Sequence, residues 1–379
     1  MRLLLLSPDF PPEVGGTQTY AYELAKRLHT RCDDFAVMAS QQPGAAEVDD
    51  NLPFEIIRLT ASDNVFPLAA LPWLYALRRR FDTTVHVLWP SSLATLILRR
   101  LGWQGHVFVA AHARELLIGP AAYPPPLRSL YDWLRRRAII GADGLFPVSR
   151  YTADLLKGMG ASPDRIAIVH NGTDPKHFSP GDDPALRRSL GLEGKRVVLT
   201  VSRLVTRKGV DTVIRALPEV ARAVPEVAYV VAGTGPDERR LRSLAAGVGV
   251  ADRIHFVTAV PYRALPGYYN MCDVFAMPAG DVTPDVEGFG IVFLEANACG
   301  KPVVGARSGG IPDAIRHEET GLLVEPDDPA GLAAALIRLL TEPDLADRLG
   351  RQGRARVLAE ATWDHAAERL FDALTRTRP

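Results

Sequence analysis

The residues best suited to chemistry lie close together in the second half of the chain, in the run Glu287-Gly288-Phe289-Gly290-Ile291 and at Glu295. Glycine lets the backbone bend, and the N–H groups at a helix start carry partial positive charge, so residues 289–292 are suited to face an anion. Carboxylates accept hydrogen bonds from neighbouring hydroxyl groups, which suits Glu287 and Glu295 to a sugar. The alternative for Glu295 is an exposed helix position, which its apolar neighbours disfavour.

Two cations follow a predicted strand in the middle of the chain. Arg203 comes directly after the strand, and Lys208-Gly209 precedes the next predicted helix. The carboxyl ends of parallel strands are where open α/β sheets bind ligands. A guanidinium and an ammonium group at that edge are able to neutralise a diphosphate. Basic residues in such loops are also commonly only solvated, so the pattern by itself leaves both interpretations open.

Two features of the first half are less specific. Gly15-Gly16 lies between the first strand and the first helix, where N–H groups of a helix N-terminus meet anions, but a simple tight turn explains it equally well. These glycines are not the G-x-G-x-x-G pattern of dinucleotide binding. His112 follows a predicted strand in the run His112-Ala113-Arg114-Glu115, where it is either structural or functional.

The sequence gives no support for a metal site or a cofactor. It contains no D-x-D pair of the kind that holds Mg²⁺, and the nearest pattern is Asp285-Val286-Glu287. The cysteines Cys32, Cys272 and Cys299 are scattered and odd in number, which argues against zinc and disulfides and suits a reducing cytoplasm. We therefore expect a cytoplasmic protein with neither a metal ion nor a cofactor.

Charge is balanced over the whole chain but not along it. Lys plus Arg and Asp plus Glu number 44 each, which gives no reason to expect nucleic-acid binding. Three arginine runs, 78–80, 99–100 and 135–137, nevertheless lie in the first half. Each is explained by a solvated helix face, and together they also suit an anionic membrane surface. No apolar stretch approaches the ~18 residues that a spanning helix needs, so membrane contact would be peripheral.

The elements that position these residues alternate between strand and helix. Short apolar runs without alternation predict buried parallel strands at residues 2–6, 35–39, 55–59, 84–88, 107–111, 197–202, 228–232, 254–257, 274–277, 302–305 and 321–324. Helical spacing of apolar residues predicts a helix over about residues 17–29 and another beginning near 213. This alternation is typical of α/β domains whose parallel sheets are covered on both faces.

The 379 residues suit two domains rather than one core. A segment rich in Gly, Pro, Asp and Ser, residues 171–194, is predicted to link them. We expect domains at 1–175 and 176–358, with a last helix at 359–379 that crosses back to the first domain.

In their order along the chain these motifs resemble the GT-B glycosyltransferases of family 4. The resemblance rests on Gly15-Gly16, Ser202-Arg203 with Lys208-Gly209, the run 232–236 (AGTGP) and the run 287–296 (EGFGIVFLEA), and it covers nearly the whole chain. The stretch 275–300 is especially similar to bacterial phosphatidylinositol mannoside mannosyltransferases of the PimB type. The resemblance implies two Rossmann-like domains whose sheets face a deep cleft, with the nucleotide sugar on the second domain and the acceptor on the first.

The resemblance also implies a role for each candidate residue. Gly16 contacts the diphosphate through its backbone, and Arg203 and Lys208 neutralise it. Glu287 holds sugar hydroxyls and Glu295 holds the ribose, and Gly288, Phe289, Gly290 and Ile291 also bind the donor. Val260 lies near the base, and His112 lies near the anomeric carbon, although Ala113 replaces the usual glycine beside it. The implied reaction is retaining, uses no metal, and counts His112, Glu287, Arg203 and Lys208 as catalytic.

Donor, acceptor and reaction class are the points on which alternatives remain. GDP-mannose is the first expectation for the donor and a UDP-hexose the second, and the acceptor is a lipid-linked or glycan molecule, with peripheral contact at the inner membrane face. A nucleotide-sugar epimerase, a phosphorylase, an oxidoreductase and a non-enzymatic sugar-binding module are the other classes. The absence of G-x-G-x-x-G counts against the oxidoreductase.

Overall fold

The structure, a computed structural model, describes residues 1–13, 15–62, 65–118, 124–258, 260–280 and 285–376. The chain forms two compact units: unit 1 comprises Met1–Asn171 and Trp363–Pro379, and unit 2 comprises Gly172–Thr362. Within the described residues, each unit contains a parallel sheet of six strands.

Unit 1 alternates strands and helices from its first residues. Its strands are β1 (Arg2–Leu6), β2 (Asp34–Ser40), β3 (Glu55–Leu59), β4 (Thr83–His86), β5 (His106–Ala111) and β6 (Gly144–Pro147). The helices between and after them are α1 (Gly16–Leu28), α2 (Ala45–Asp49), α3 (Phe66–Leu77), α4 (Trp89–Arg100), α5 (Arg114–Leu117), α6 (Pro125–Gly141) and α7 (Arg150–Gly158). The central strand β1 is buried on both faces from Leu3 to Leu6, which is why its sequence is apolar without alternation.

Unit 2 repeats the same alternation. Its strands are β7 (Arg196–Val201), β8 (Val227–Ala232), β9 (Ile254–Val257), β10 (Val274–Met277), β11 (Val303–Ala306) and β12 (Gly321–Val324). Its helices are α8 (Pro184–Ser189), α9 (Val210–Ala223), α10 (Glu238–Gly247), α11 (Leu265–Met271), α12 (Ile291–Ala298), α13 (Ile311–Ala314), α14 (Pro329–Thr341) and α15 (Pro343–Glu360). Helix α9 buries Val213, Leu217 and Val220 in the core, at the spacing that the sequence predicts.

The two sheets have the same strand order. In unit 1 it is β3-β2-β1-β4-β5-β6, and in unit 2 it is β12-β11-β10-β7-β8-β9, which is the same arrangement listed from the other edge. In each sheet the chain reverses its direction of travel between the first and fourth strands, β1 and β4 or β7 and β10. The carboxyl ends of these two neighbouring strands mark the position at which doubly wound folds bind ligands.

The last helix, α16 (Trp363–Arg376), belongs to unit 1 and packs against α1. Trp363 is fully buried and meets the ring of Tyr20 edge-on, with 6.3 Å between centroids. Arg27 of α1 donates from Nε to Asp364 at 2.7 Å. The helix therefore closes onto the first unit of the chain through an aromatic contact and an ion pair.

Two sequence expectations differ from the structure. Strand β6, with the sequence GLFP, was not predicted, because a glycine and a proline bound only two apolar residues; its position at the sheet edge is where proline is tolerated. The predicted linker, residues 171–194, is largely packed into unit 2. Phe178 is buried, and Asn270 fastens this segment with bonds to the backbone of Ser179 and Gly181. Among the described residues, no helix has both the length and the apolar character needed to cross a bilayer.

Candidate functional site

The candidate site of unit 2 lies where the loops after β7 and β10 meet, at the carboxyl edge of two neighbouring strands. The two loops are joined by a hydrogen bond from the backbone N–H of Gly280 to the carbonyl of Arg207, at 3.0 Å. Gly209 has a φ of +69°, and a Cβ at this position would lie 2.1 Å from the carbonyl oxygen of Pro278. Only glycine allows the loops to approach this closely.

Four charged side chains meet at this junction, and we call them the charge cluster: Arg207, Lys208, Asp285 and Glu287. Lys208 donates from Nζ to Glu287 Oε2 at 2.6 Å, and Arg207 donates from Nη1 to the same oxygen. Arg207 Nε lies 3.0 Å from Asp285 Oδ1. The side chains of Arg207, Lys208 and Glu287 are 16%, 12% and 13% exposed, so these pairs are largely screened from water.

The electrostatics of the cluster fix the charge of Glu287. Burial by itself would raise the pKa of this carboxyl, but the charges of Lys208 and Arg207 and their hydrogen bonds outweigh burial and lower the pKa to about 2. Burial lowers the pKa of Lys208, and Glu287 opposes that change. The structure therefore presents an ionised carboxylate and an ammonium group held side by side.

Of the two cations singled out in the sequence, Lys208 is in the cluster and Arg203 is not. Arg203 is exposed on the loop after β7, whereas Arg207, which was not singled out, contacts both carboxylates. The sequence carried a signal for Arg207, because it adjoins Lys208 in the run Thr206-Arg207-Lys208, a single 3₁₀ turn. What the sequence did not show is that this turn points both cations toward Asp285 and Glu287.

The glycine-rich run after Glu287 leads into α12. Gly290 is the N-cap, with a φ of 92°, and Ile291 is the first helical residue; within the described chain no side chain caps this helix end. Phe289 is buried, and Gly288 is partly buried beside it. A helix start without a side-chain cap leaves backbone N–H groups for another acceptor, as the sequence predicts for this run.

Glu295 lies on α12 in a different environment from Glu287. It is 8% exposed, and the hydroxyl of the fully buried Tyr269 donates to its Oε2 at 2.6 Å. Burial raises the pKa of Glu295 to about 7, against the hydrogen bond from Tyr269, which lowers it. One carboxylate oxygen is thus committed to Tyr269, which orients the group.

Val260 is the last candidate of unit 2. It is partly buried and follows β9, just before a 3₁₀ turn at Tyr262–Ala264. Its neighbour Ala259 lies outside the described residues. The turn is fixed to the rest of the unit, because His177 stacks on Tyr262 with 4.5 Å between ring centroids.

In unit 1, Gly16 is the first residue of α1 and is exposed. No described side chain caps this helix, and a Cβ on Gly16 would meet nothing within 4 Å among the described atoms. The position thus presents open backbone at the N-terminus of a long helix, next to the carboxyl end of β1.

His112 lies at the end of β5 and is held by its surroundings. Its backbone N–H donates to Glu115 Oε1 at 2.6 Å, and its ring packs edge-on against Tyr20 with 4.6 Å between centroids. Burial lowers the pKa of His112 to about 4, so the imidazole is neutral at pH 7. Ala113 has a φ of +80° and a ψ of −55°, a strained conformation that glycine adopts more readily.

Glu115, whose carboxylate accepts the backbone N–H of His112, was not singled out as a functional residue in the sequence. Burial raises its pKa to about 7, and the N–H groups of His112 and of Glu115 itself oppose the rise. The ring N–H of Trp89 donates to the backbone carbonyl of Glu115 at 3.1 Å. Glu115 therefore closes the loop around the strained Ala113 and sets the position of His112.

Carboxylates and histidines do not gather into a metal site in the described part of the chain. No group of three or more His, Cys, Asp or Glu side chains there is placed to hold an ion. Asp285 and Glu287, the nearest approach to a D-x-D pair, contact Arg207 and Lys208 instead.

Comparison with known proteins supplies the family. A profile described as Glycosyltransferase Family 4 matches residues 14–177, and one described as Glycosyl transferases group 1 matches residues 182–356. The chain is 35% identical to a GDP-mannose-dependent alpha-(1-6)-phosphatidylinositol monomannoside mannosyltransferase of Mycobacterium tuberculosis H37Rv, over 98% of each chain. It is 33% identical to a GDP-mannose-dependent monoacylated alpha-(1-6)-phosphatidylinositol monomannoside mannosyltransferase of Corynebacterium glutamicum, over 98% of this chain and 97% of the relative.

Solved structures agree on the fold. Anabaena HepE in complex with UDP superimposes with a TM-score of 0.84 at 19% identity, over 99% of this chain and 100% of that one. Sucrose-phosphate synthase from Thermosynechococcus elongatus gives a TM-score of 0.80 at 24% identity, over 99% and 98%. At these identities the likeness establishes the GT-B fold that the sequence motifs predicted.

The raised pKa of Glu295 makes its effect on stability depend on pH. The folded state binds this proton more tightly than the unfolded state, so the stabilisation is complete below pH 4.5 and is lost as the pH rises through 7. Glu295→Gln removes this loss. The stability of the variant relative to wild type should increase from pH 4.5 to pH 8, by up to about 3 kcal/mol.

Calorimetric unfolding at a series of pH values measures this difference. Glu226→Gln, at an exposed glutamate of the same unit, serves as the control for the removal of a glutamate side chain. A difference between Glu295→Gln and wild type that stays constant with pH would show that Glu295 holds no proton near neutrality.

Proposed function

Since the chain belongs to the family 4 glycosyltransferases and has their GT-B fold, we propose that it transfers a hexose from a nucleotide diphosphate sugar to a lipid or glycan acceptor. The proposed reaction retains the anomeric configuration and uses no metal ion. The observation that carries the proposal is the charge cluster, which holds a buried ammonium group and an ionised carboxylate at the ligand-binding edge of unit 2.

We propose GDP-mannose as the donor in the first place. The support is the two relatives that are GDP-mannose-dependent mannosyltransferases and match almost the whole chain. A UDP-hexose is the second candidate, because HepE, which shares the fold, was solved with UDP and with UDP-glucose. We propose that unit 1 binds the acceptor, which is a phosphatidylinositol-type lipid or a glycan. Unit 2 is proposed to bind the donor.

The proposed roles in unit 2 follow the chemistry of each group. Lys208 and Arg203 neutralise the diphosphate, and backbone N–H groups from Gly288 to Ile291 add positive potential at the start of α12. Glu287 accepts hydrogen bonds from sugar hydroxyls, for which an ionised carboxylate is the strongest acceptor available. Glu295, with one oxygen on Tyr269, uses the other for the ribose, and Val260 lies near the base.

In unit 1, we assign Gly16 to the diphosphate and His112 to the sugar beside the anomeric carbon. His112 is neutral near pH 7, so it contacts hydroxyl groups without adding charge to the site. The loop around Ala113 keeps it in place through Glu115.

The proposed mechanism depends on charge that develops on the leaving diphosphate. As the bond from the anomeric carbon breaks, electrons move onto the phosphate oxygen, and cations already in position stabilise this charge more than that of the bound substrate. Lys208 and Arg203 supply that positive charge. Asp285 and Glu287 are engaged by Arg207 and Lys208, which supports a reaction without a metal ion. We propose that the acceptor hydroxyl attacks the anomeric carbon from the face that the diphosphate leaves, and that its proton passes to the leaving diphosphate oxygen.

The donor and metal proposals are tested together by rates of sugar transfer. Metal-stripped enzyme in EDTA should transfer mannose from GDP-mannose to phosphatidylinositol monomannoside at the rate measured with added Mg²⁺. The preference among GDP, UDP and ADP is measured by thermal shift, because a ligand that binds the folded state raises its apparent stability. GDP should raise the melting temperature more than UDP or ADP does. Activity that disappears in EDTA and returns with Mg²⁺ would contradict the metal-independent mechanism, and selective binding of UDP would move the donor to a UDP-hexose.

The cations are tested by substitution. Lys208→Ala should lower kcat by ~100-fold and also raise KM, because the contact strengthens as the diphosphate leaves. Arg203→Lys keeps the charge but loses the planar fork, and it should also fall well below wild type in kcat. Steady-state kinetics with varied donor separate the two parameters. Wild-type kcat in both variants would place the diphosphate contact elsewhere.

We also propose that unit 1 contacts an anionic membrane. Most of the large apolar side chains that are exposed in the described chain lie on the neighbouring helices α3, α4 and α6 or at their ends, and we call this surface the apolar face: Leu68, Trp73, Tyr75, Ile97, Leu101, Leu127, Leu130, Trp133 and Ile140. Trp and Tyr are the side chains that favour the membrane interface.

The arginine runs of the sequence border this face and, apart from Arg78, which lies over the ring of Tyr75, their members are of two kinds. Arg80, Arg99 and Arg135 are each paired with a carboxylate of unit 1, as a structural role requires. Arg79, Arg100, Arg136 and Arg137 are exposed, and Arg137 lies over the ring of Trp133. Exposed arginines beside interfacial aromatic rings suit a surface of anionic lipid headgroups.

Vesicle sedimentation tests this contact. The enzyme should sediment with vesicles that contain phosphatidylinositol and much less with vesicles of phosphatidylcholine alone, and salt should weaken the binding. Trp73→Ser combined with Trp133→Ser should reduce sedimentation by about 10-fold or more, since each ring loses its interfacial burial. Leu358→Ser, at an exposed apolar residue of unit 2, is the matched control. Equal sedimentation of the double variant and wild type would remove the apolar face from the contact.

A further inference from the structure

The charge cluster contains two groups, Arg207 and Asp285, to which the proposed reaction gives no role. Lys208 contacts only Glu287 among the cluster carboxylates, whereas Arg207 contacts Glu287 through Nη1 and Asp285 through Nε. Both cations donate to the same oxygen of Glu287, Oε2. Glu287 thus has two counter-ions on one atom, which is more than its charge requires.

Charge counting shows why the second counter-ion matters. The cluster has two positive and two negative side chains, so it is neutral as it stands. A nucleotide diphosphate sugar brings about two further negative charges. When Lys208 turns toward the diphosphate, Glu287 loses part of its compensation in a place where an unpaired charge is costly.

Arg207 is better suited than Lys208 to stay with the carboxylates. Its planar guanidinium presents N–H groups in a fixed fork and bridges two carboxylates at once, whereas an ammonium group is a point charge on a flexible stem. The backbone of Arg207 is also fixed, because its carbonyl accepts the N–H of Gly280 from the loop after β10. Arg207 is therefore anchored to the loops on both sides of the junction.

We propose that Arg207 is a positioning residue that holds Glu287 in place and ionised while Lys208 is released to the diphosphate. This inference rests on the proposed function, in which Glu287 binds sugar hydroxyls and Lys208 binds the diphosphate. Arg207 itself touches no substrate in the proposal and acts through Glu287, with Asp285 fixing its orientation from the other side.

The proposed role of Arg207 predicts a change on the acid side of the pH profile of kcat. Burial acts to raise the pKa of Glu287, and the two charges that lower it come from Lys208 and Arg207, while Asp285 acts on both cations. Because the pKa is held at about 2, Glu287 is ionised throughout the working pH range. With Arg207 removed and Lys208 drawn to the donor, burial prevails and the carboxyl takes up a proton at higher pH.

The test compares Arg207→Gln and Arg207→Lys with wild type by measuring kcat and KM for the donor from pH 5 to pH 9. Arg207→Gln should lower kcat by about 10-fold or more and add an acid limb of kcat within this range, whereas Glu287 of wild type, with a pKa of about 2, stays ionised throughout it. The variant should also bind GDP more weakly. Lys208 then becomes the sole counter-ion of Glu287, so the carboxylate competes with the diphosphate for it. Arg207→Lys keeps the charge and should remove this acid limb again, while kcat recovers only in part.

Arg240→Gln is the matched control, since Arg240 also bridges two carboxylates of unit 2, Asp211 and Asp237, away from the cluster. It should leave the pH profile unchanged. An Arg207→Gln enzyme with the pH profile and kcat of wild type would overturn the proposal, as would a variant that loses only thermal stability. Should the wild-type enzyme transfer no sugar and bind no nucleotide, the proposed function fails instead, and this outcome is read before any variant is compared.

Discussion

The ion pairs between the loops after β7 and β10 are the interactions on which the rest of the candidate site depends. Arg207, Lys208 and Glu287 are largely buried, and a buried charge without a partner is far more costly than a broken surface pair. The loops must therefore stay in contact for the charges to be tolerated. The close approach at Gly209 and the bond from Gly280 to Arg207 keep them so. The contacts that hold Lys208 and Glu287 in the candidate site are thus also a condition for the folded state of this edge.

The two glutamates of the Glu287–Glu295 motif have different surroundings, which give their carboxyl groups different pKa values. Both are buried, and burial acts to raise the pKa of each. Glu287 meets two cations, so its pKa falls to about 2. Glu295 meets only the hydroxyl of Tyr269, so its pKa rises to about 7. One carboxylate is a permanent charge in the site, and the other is a hydrogen-bonding group whose charge depends on pH.

Unit 1 places its functional features in two separate regions. Near the carboxyl ends of its strands, Glu115 holds the backbone of His112 while Ala113 carries the strain of a positive φ. Strain of this kind persists only where neighbouring contacts enforce it, and it is common at functional sites. On helices α3, α4 and α6, by contrast, large apolar side chains remain exposed, which soluble surfaces usually avoid. The first region suits chemistry, and the second suits contact with a partner surface.

The parallel α/β class and the position of most strands were predictable from local sequence, because strands buried on both faces are apolar runs that need no tertiary information. The sequence also indicated the family, since the glycine spacing and the Glu287–Glu295 motif are local. Strand β6 was not predicted, because a sequence as short as GLFP forms a strand through its pairing with β5 and has no strand pattern of its own. Arg207 was missed for the same kind of reason: its position beside Lys208 is visible in the sequence, but its contacts with Asp285 and Glu287 are not. Arg207 and Arg203 differ once β7 and β10 become neighbours, because this pairing brings Asp285 and Glu287 to Arg207. The contact joins residues about 80 positions apart, so it depends on the tertiary structure and not on local sequence.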